Sequence, residues 1–425
     1  MKTINTQNLK GVTDYYGNEQ LIRNKIMNIL ESMFQNYGYS PLDTPLLYNY
    51  DILAYKYQEG AEILKEMYTL SDQGNRQLGL RYDLTIPFCR FIADKKDLRL
   101  PLRRYEIGKV FRNGPVKLGR CREFYQCDAD VVGIDGRDIE IEQMLLAISA
   151  FQKLGIDIVI KWNNRKLMSA IIKYLGITDD KIDQVIGIID KIEKINREEL
   201  KKEFEKIDVS SDTVDKLLSL FTMDISEYNN FDYDDPLYLE ALSEVNEIND
   251  KIKALGIEDK TKFSPTLARG LSIYTGTIFE FFDKDENLTC SLGGGGRYNK
   301  IITDFINDGE VYPAVGLSFG LEPIYTIIKS KYENENMIKV YIIPMDTQNE
   351  SIKLAQDLRD NGINTLVEFN KRKLKRCFEY ADKEKIRYVI VIGEDEIKNE
   401  NYTLKDMETG IQVKLNRQEL IDKLK

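Results

Sequence analysis

Apolar residues Ile22, Ile26, Ile29 and Met33 recur three or four positions apart, which predicts an amphipathic helix over about 19–36. The segment YGYSPLDTPLL follows. Its Pro41 and Pro45 suit an extended edge or an interface better than a helix. Short strand-like runs come next, in QLGLRYDL, RRYEIGKVFR and REFYQCDADVVG. From about 163 to 258 the period changes. KIDQVIGIIDKIEKINREELKKEFEKI is rich in Ile, Lys and Glu and predicts scaffold helices with charged outer faces. Strand patterns return at TLARGLSIYTGTIFEFF, so the helical block reads as an insertion into one domain. The polar stretch SKYENEN at 330–336 reads as a linker. Beyond it, KVYIIPM and YVIVIG are short apolar runs of the kind found in buried parallel strands. ESIKLAQDLRDNGI between them predicts a helix ended by Gly362. The pattern divides the chain into a core over 1–330, interrupted at about 163–258, and a compact α/β domain over 337–425.

Composition narrows the chemistry. The 425 residues carry 42% hydrophobic and 31% charged positions, as a globular protein does, and a net charge of −10. That charge excludes a globally basic coat, though not a local basic patch. There is no histidine, which removes the Ser-His-Asp triad, every His-ligated metal site and every imidazole acid or base. Cys89, Cys121, Cys127, Cys290 and Cys377 form no C-x-x-C pair, which speaks against structural zinc and a secreted disulfide framework. No N-terminal apolar segment or run of membrane length occurs, so a cytoplasmic protein is expected.

Four segments could carry chemistry. In GRCREFYQCDADVVG, period-two alternation sets Arg122, Phe124, Gln126, Asp128 and Asp130 on one face. That face is either exposed to solvent or the polar floor of a ligand site, because such groups are costly to bury without partners. RRYEIGKVFRNGPVKLGRCR predicts a hairpin with a long tip, along which Lys109, Arg112, Lys117, Arg120 and Arg122 gather. LGGGGRYNK is not a Walker A loop. Its glycines mark a plain loop, a close approach of backbone to ligand or unusual φ values. In LARGLSIYTGTIFEFF, Arg269 and Tyr274 differ in parity, so Arg269 precedes the regular strand or sits at a bulge.

Taken together, these segments resemble the histidyl-tRNA synthetases, a family of class II aminoacyl-tRNA synthetases, over essentially the whole chain. GVTDYYG and YGYSPLDTPLL resemble the N-terminal region and motif 1, LRYDLTIPFCRF the histidine-site segment, and VFRNGPVKLGRCREFYQCDAD motif 2. ARGLSIYTGTIFE and GGGGRY resemble the two histidine-specific signatures. AVGLSFGLEPI sits at motif 3, and the last ninety or so residues resemble the anticodon-binding domain. The resemblance implies a mostly antiparallel sheet flanked by helices (an α+β class II core), a helical insertion, and a C-terminal α/β anticodon-binding domain. It implies a homodimer through motif 1, with L-histidine, ATP and tRNA(His) as partners and Mg2+ bridging the leaving pyrophosphate. By the same resemblance, Asp83, Thr85 and Gln126 would hold the α-amino group of histidine. Asp130 and Tyr274 would pair with the imidazole nitrogens. Arg112 would contact the α-phosphate of ATP and Arg269 would stabilise the charge developing there, with Arg120 a further nucleotide contact. No residue is assigned to a protein-held metal. Lys371, Arg372, Lys373, Lys375 and Arg376 would offer tRNA a basic helix.

Four positions depart from the family pattern. Gly114 replaces the motif 2 acid that reads adenine, and Pro323 replaces the motif 3 arginine. Ser272 and Ile273 replace an aspartate and a tyrosine of the arginine signature. Each lost ATP contact is worth about 1–3 kcal/mol. Two activities therefore compete: a working histidine–tRNA ligase, and a non-catalytic histidine-binding paralogue like the regulatory subunit of ATP phosphoribosyltransferase. Retention of Arg269 and of the C-terminal domain favours the ligase.

Overall fold

The computed structural model describes residues 4–55, 62–95, 97–117, 119–192, 195–269, 273–332, 337–370 and 372–425, with the side chains of 62 and 63 left aside. Helix Asn18–Asn36 buries Ile22, Ile26, Leu30, Met33 and Phe34, so the expected helix forms, with Leu30 in its apolar stripe and Ile29 at the margin. Sixteen described strands follow in chain order: β1 (Ser40–Pro41), β2 (Leu47–Asn49), β3 (Thr69–Ser71), β4 (Gln77–Leu80), β5 (Leu102–Phe111), β6 (Glu123–Val132), β7 (Ile158–Asn164), β8 (Thr261–Phe263), β9 (Thr277–Asp283), β10 (Gly293–Arg297), β11 (Ala314–Gly320), β12 (Val340–Pro344), β13 (Thr365–Val367), β14 (Tyr388–Ile392), β15 (Tyr402–Asp406) and β16 (Gln412–Leu415). Contacts divide the chain into two units, Met1–Asp14 with Arg23–Ile328, and Tyr15–Ile22 with Lys329–Lys425.

The first unit is built on an eight-stranded sheet ordered β1-β5-β6-β11-β10-β9-β7-β8. Its interior pairs are antiparallel, and short parallel strands close both edges. The Pro41 segment is thus an edge strand, where a missing N–H costs nothing. A small sheet, β2-β4-β3, lies between β1 and β5 in the chain. Six described helices, from Arg165–Tyr174 to Pro236–Ala254, lie between β7 and β8; residues 163 and 164 still belong to β7.

The tetraglycine is not a loop. It forms β10, in the interior of the sheet, and the reason is room. On the back face Gly293 lies between Phe281 and Phe319, whose rings meet across it with centroids 5.7 Å apart. On the front face Gly294 leaves space for the Arg269 guanidinium, which a Cβ there would meet at 2.3 Å. Helix Asp138–Leu154 packs on the same sheet. Its Glu140 takes a bidentate pair from Arg297 at 2.7 and 2.8 Å, with both side chains buried.

The second unit is a five-stranded sheet, β13-β12-β14-β15-β16, with β12, β13 and β14 parallel. Alternate residues of β12 serve two cores: Val340 and Ile342 on one side, Tyr341 and Ile343 on the other. Gly362 follows helix Gln348–Asp360 with φ +78°, as expected. The linker stretch begins in a short 3-10 helix, Lys329–Tyr332; 333–336 lie outside the described residues. The basic cluster is not one helical face. Lys375 and Arg376 lie in helix Leu374–Lys383, Lys373 and Arg372 precede it, and Lys371 is outside the described residues. Arg372 is held by Glu368 at 3.2 Å and by the ring of Tyr380.

Replacing Arg297 with Met leaves Glu140 buried, with Arg137 at 3.7 Å the remaining cation paired with it among the described residues. A loss of about 3 kcal/mol in urea unfolding is expected, the low end for breaking a buried pair. A loss under about 1 kcal/mol would contradict that role.

Candidate active site

Register builds the site. In antiparallel sheets directly opposed residues share a face, so the front face carries two adjacent cross-strand rows. One contains Glu106, Asp128, Ser318, Gly294 and Glu280; the next contains Arg104, Asp130, Gly316 and Gly296. The Asp128 and Asp130 end of the polar face of β6 is buried, each 3% exposed, while Phe124 and Gln126 at the other end are partly exposed.

A buried ion ladder holds this floor. Arg81 Nη1 lies 2.7 Å from Glu106 Oε1, and Arg104 lies 3.9 Å from Glu106 Oε2 and 2.7 Å from Asp130 Oδ2. The Tyr298 hydroxyl donates to Asp130 Oδ1. Thr44 donates to Glu106 from its N–H and hydroxyl, at 3.0 and 2.8 Å, tying the motif 1 segment to the same ladder. Two arginines thus face two carboxylates in an interior where an unpaired charge would be costly. Gly316 is required here, because a Cβ would lie 1.9 Å from Asp130 Oδ1.

The expected site residues fall at different places around this floor. Arg112 leaves β5, donates from Nε to the Tyr82 carbonyl at 2.9 Å, and stacks its guanidinium 5.2 Å from the Phe124 ring. Phe124, Gln126, Asp128 and Asp130 form one column along β6, about 20 Å long at the rise of an extended strand. Asp83 accepts the Ile86 N–H at 3.1 Å where helix Thr85–Asp94 begins, and Thr85 is the first residue of that helix. Arg269, at φ +32°, and Tyr274 both precede β9, which begins at Thr277, so Tyr274, against expectation, is not in the regular strand and strand parity governs neither residue. Arg269 Nη1 donates to the Phe279 carbonyl at 3.2 Å, and its guanidinium lies 5.3 Å from the Tyr274 ring. Tyr274 in turn lies against Gly296. Burial raises the Tyr274 pKa, so its hydroxyl stays protonated at neutral pH. Arg120 is exposed near the tip of the β5–β6 loop, where its charge is felt by Cys290; it is not part of the floor. Residues 270–272, including Ser272, lie outside the described residues, and Ile273 is buried in an apolar cluster.

Several residues of the site escaped the sequence reading. Arg104 and Glu106 share the parity of the polar column through the β5–β6 register, a signal present in RRYEIGKV. Arg81 and Tyr298 approach the floor from outside β5 and β6, and no local pattern announces them. At Gly114, a Cβ would lie 2.6 Å from Glu66 Oε1, so the Glu66 carboxylate occupies the space beside the missing motif 2 acid. The Asn113 N–H donates to the Glu66 carbonyl at 2.7 Å and fixes that approach. Pro323, in the first turn of helix Leu321–Ile328, packs against Gly320 and brings no charge. Glu322 pairs with the buried Arg23 at 2.8 Å and accepts the Tyr125 N–H.

Asp128 is the carboxylate left over from the ladder. Among the described residues, its Oδ1 accepts no hydrogen bond, nor does Oε1 of neighbouring Gln126. Burial pushes the Asp128 carboxyl up to about 8; Arg104 and a hydrogen bond from Ser318 pull it down, and the charges of Asp130 and Asp83 push it further up. Burial also raises Asp130, while Arg104 and the Tyr298 hydroxyl oppose the rise.

A central antiparallel sheet with this polar face, a long hairpin carrying Arg112, and a final strand running directly into a helix define the core of a class II aminoacyl-tRNA synthetase. Family models described as "Histidyl-tRNA synthetase" and "Anticodon binding domain" match residues 11–324 and 339–425. The chain is 44% identical over 414 residues to "Histidine--tRNA ligase 1" of Bacillus cereus, covering 96% of this chain and 97% of that protein. Histidyl-tRNA synthetase from Nostoc sp. PCC 7120 superposes with TM-score 0.85 at 28% identity, covering 99% of both chains. A Bacillus halodurans C structure described as an ATP phosphoribosyltransferase regulatory subunit/histidyl-tRNA synthetase shares the fold, at TM-score 0.76 and 20% identity, covering 92% of this chain and 99% of that one. The chain belongs to the histidyl-tRNA synthetase family.

The raised Asp128 pKa has a sign. The native state holds a proton that the unfolded chain releases between about pH 4 and pH 8, so this group makes stability fall as pH rises through that window. Asp128→Asn is therefore expected to melt higher than wild type at pH 8, with the gap closing towards pH 4. A gap that is constant with pH would contradict this.

Proposed function

We propose that the chain is a histidine–tRNA ligase that adenylates histidine with ATP and then transfers the histidyl group to the terminal ribose of tRNA. The observation that carries this reading is the β6 column within a member of this family. Cationic Arg112 stacks over one end, Arg269 approaches the floor from beside it, and carboxylates occupy the other end. Such polarity fits an amino acid that offers an ammonium to one end and its carboxylate, facing a phosphate, to the other.

In this reading Asp83, Thr85 and Gln126 orient the α-amino group, while Asp130 and Tyr274 pair with the imidazole. The histidine carboxylate oxygen attacks the α-phosphorus of ATP, the α–β phosphoanhydride bond breaks, and pyrophosphate leaves. Arg112 and Arg269 stabilise the charge spread over the α-phosphate oxygens during that step. Mg2+ arrives with the phosphates of ATP as part of the substrate; among the described residues no group of three or more His, Cys, Asp or Glu is placed to hold a metal. Glu66 supplies the base-reading carboxylate that Gly114 lacks.

Homodimerisation through the motif 1 region is part of the same reading, supported by exposed Leu46, Leu47 and Leu70 in and beside the small sheet. The second unit receives the tRNA, and the enzyme works in the cytoplasm. No described helix is long and apolar enough to cross a membrane. The non-catalytic reading draws on Gly114 and Pro323 alone. Against it stand the matched anticodon-binding region and the retained Arg269.

Histidine-dependent ATP–pyrophosphate exchange by the purified protein tests the activity. Exchange is expected; its absence alongside saturable histidine binding would favour the sensor. Arg269→Ala is expected to lower the exchange kcat by about 10²–10³ with little change in histidine affinity. Glu66→Gln is expected to raise the KM for ATP about tenfold and leave that for histidine unchanged.

A further inference from the structure

Asp128 lies between Gln126 and Asp130 on the front face, 3% exposed, with one carboxylate oxygen that no described group satisfies. Its surroundings can be enumerated. Arg104 and Glu106 face it from β5, Asp130 from β6 itself and Ser318 from β11. Asp83, Tyr274 and Arg269 act on it electrostatically, and Glu280 ends its cross-strand row. Arg104 lies 2.7 Å from Asp130 and 3.9 Å from Glu106, and its Nε and Nη1 have no hydrogen-bond partner among the described residues; its charge reaches Asp128 without a hydrogen bond to Oδ1. Gln126 contributes a second buried acceptor without a donor, while its Nε2 is spent on Ser318 Oγ at 3.2 Å. Two unsatisfied acceptors two residues apart on one strand face have Cα atoms about 7 Å apart. A compact group with several N–H donors and one positive charge bridges that span with hydrogen bonds of about 2.8 Å to each. An α-ammonium has that chemistry; a neutral imidazole, with one N–H in all, does not satisfy both.

We propose that Asp128 is a direct contact of the substrate's α-ammonium, serving as its counter-ion and releasing its own proton to solvent as the ammonium docks. This role adds to those carried over for Asp83, Thr85 and Gln126, and it rests on the ligase reading above. The exchange balances: a neutral carboxyl and a cationic amine become a carboxylate–ammonium pair, and one proton leaves the site. Without substrate, the neutral carboxyl avoids a third buried negative charge beside Asp130 and Glu106. Substrate binding thereby completes the charge pattern of the floor.

The test is calorimetric titration of the full-length protein with histidine at pH 7.5, in two buffers of different ionisation enthalpy. Wild type is expected to release more than half a proton per histidine bound. Asp128→Asn is expected to bind histidine ten- to a hundredfold more weakly and to release none. Histidinol, which keeps the ammonium and lacks the carboxylate, should lose affinity by the same factor in the variant. Imidazolepropionate, which lacks the ammonium, should bind both proteins equally. The proposal is overturned if Asp128→Asn binds histidine within threefold of wild type with the same proton count. It is equally overturned if imidazolepropionate loses as much affinity as histidine, since that would mark a structural role. Failure of the wild type to bind histidine at all overturns the ligase reading and this proposal together, an outcome distinct from the other two.

Discussion

The front of the central sheet depends on one buried ionic ladder, Arg81–Glu106–Arg104–Asp130. Each member lies in a low-dielectric interior where its charge is tolerated only because the next one neutralises it. That constraint fixes more than four side chains. It ties Thr44 in the motif 1 segment to β5, fixes the β5–β6 register, and determines that Gly316 carries no side chain. A buried pair of this kind is weak evidence for stability, yet a one-residue slip of β6 against β5 would carry Asp130 to the other face and strand Arg104. The ladder uses two cations against two anions, and Asp128 is the remainder.

Much of this was legible in the sequence because period-two alternation is a strong signal along a single long strand. The parity of Gln126, Asp128 and Asp130 follows from spacing alone, whereas spacing left Arg269 either ahead of its strand or at a bulge. Whether that polar face was covered could not be read, because burial is decided by strands distant in sequence: β11 brings Gly316 and Ser318 from nearly two hundred residues away. The tetraglycine was ambiguous for a related reason. Glycine has low strand propensity, and β10 is a strand only because its neighbours supply the side chains that it lacks. The Phe281–Phe319 contact across Gly293 cannot be inferred from either segment separately.

The departures from the family pattern divide in the same way. Gly114 looks like a plain loss in the sequence, but the fold brings a carboxylate to that space from Glu66, on a segment before β3. Pro323 has no comparable replacement among the described contacts. It packs beside Gly320, and the adjacent Glu322 is locked to Arg23. The two positions therefore carry different weight, although a motif comparison treats them alike.

The glycine strand also bears on how this protein can change over time. At most surface positions a new side chain finds solvent, and its cost is a few tenths of a kcal/mol. At Gly294 any new side chain meets both the Arg269 guanidinium and the backbone of β9, within 2.4 Å. There is no small first step from which a second mutation could recover. The middle of the sheet is thus closed to gradual drift, and variation has to enter from the rim, where Gly114 has the Glu66 carboxylate beside it.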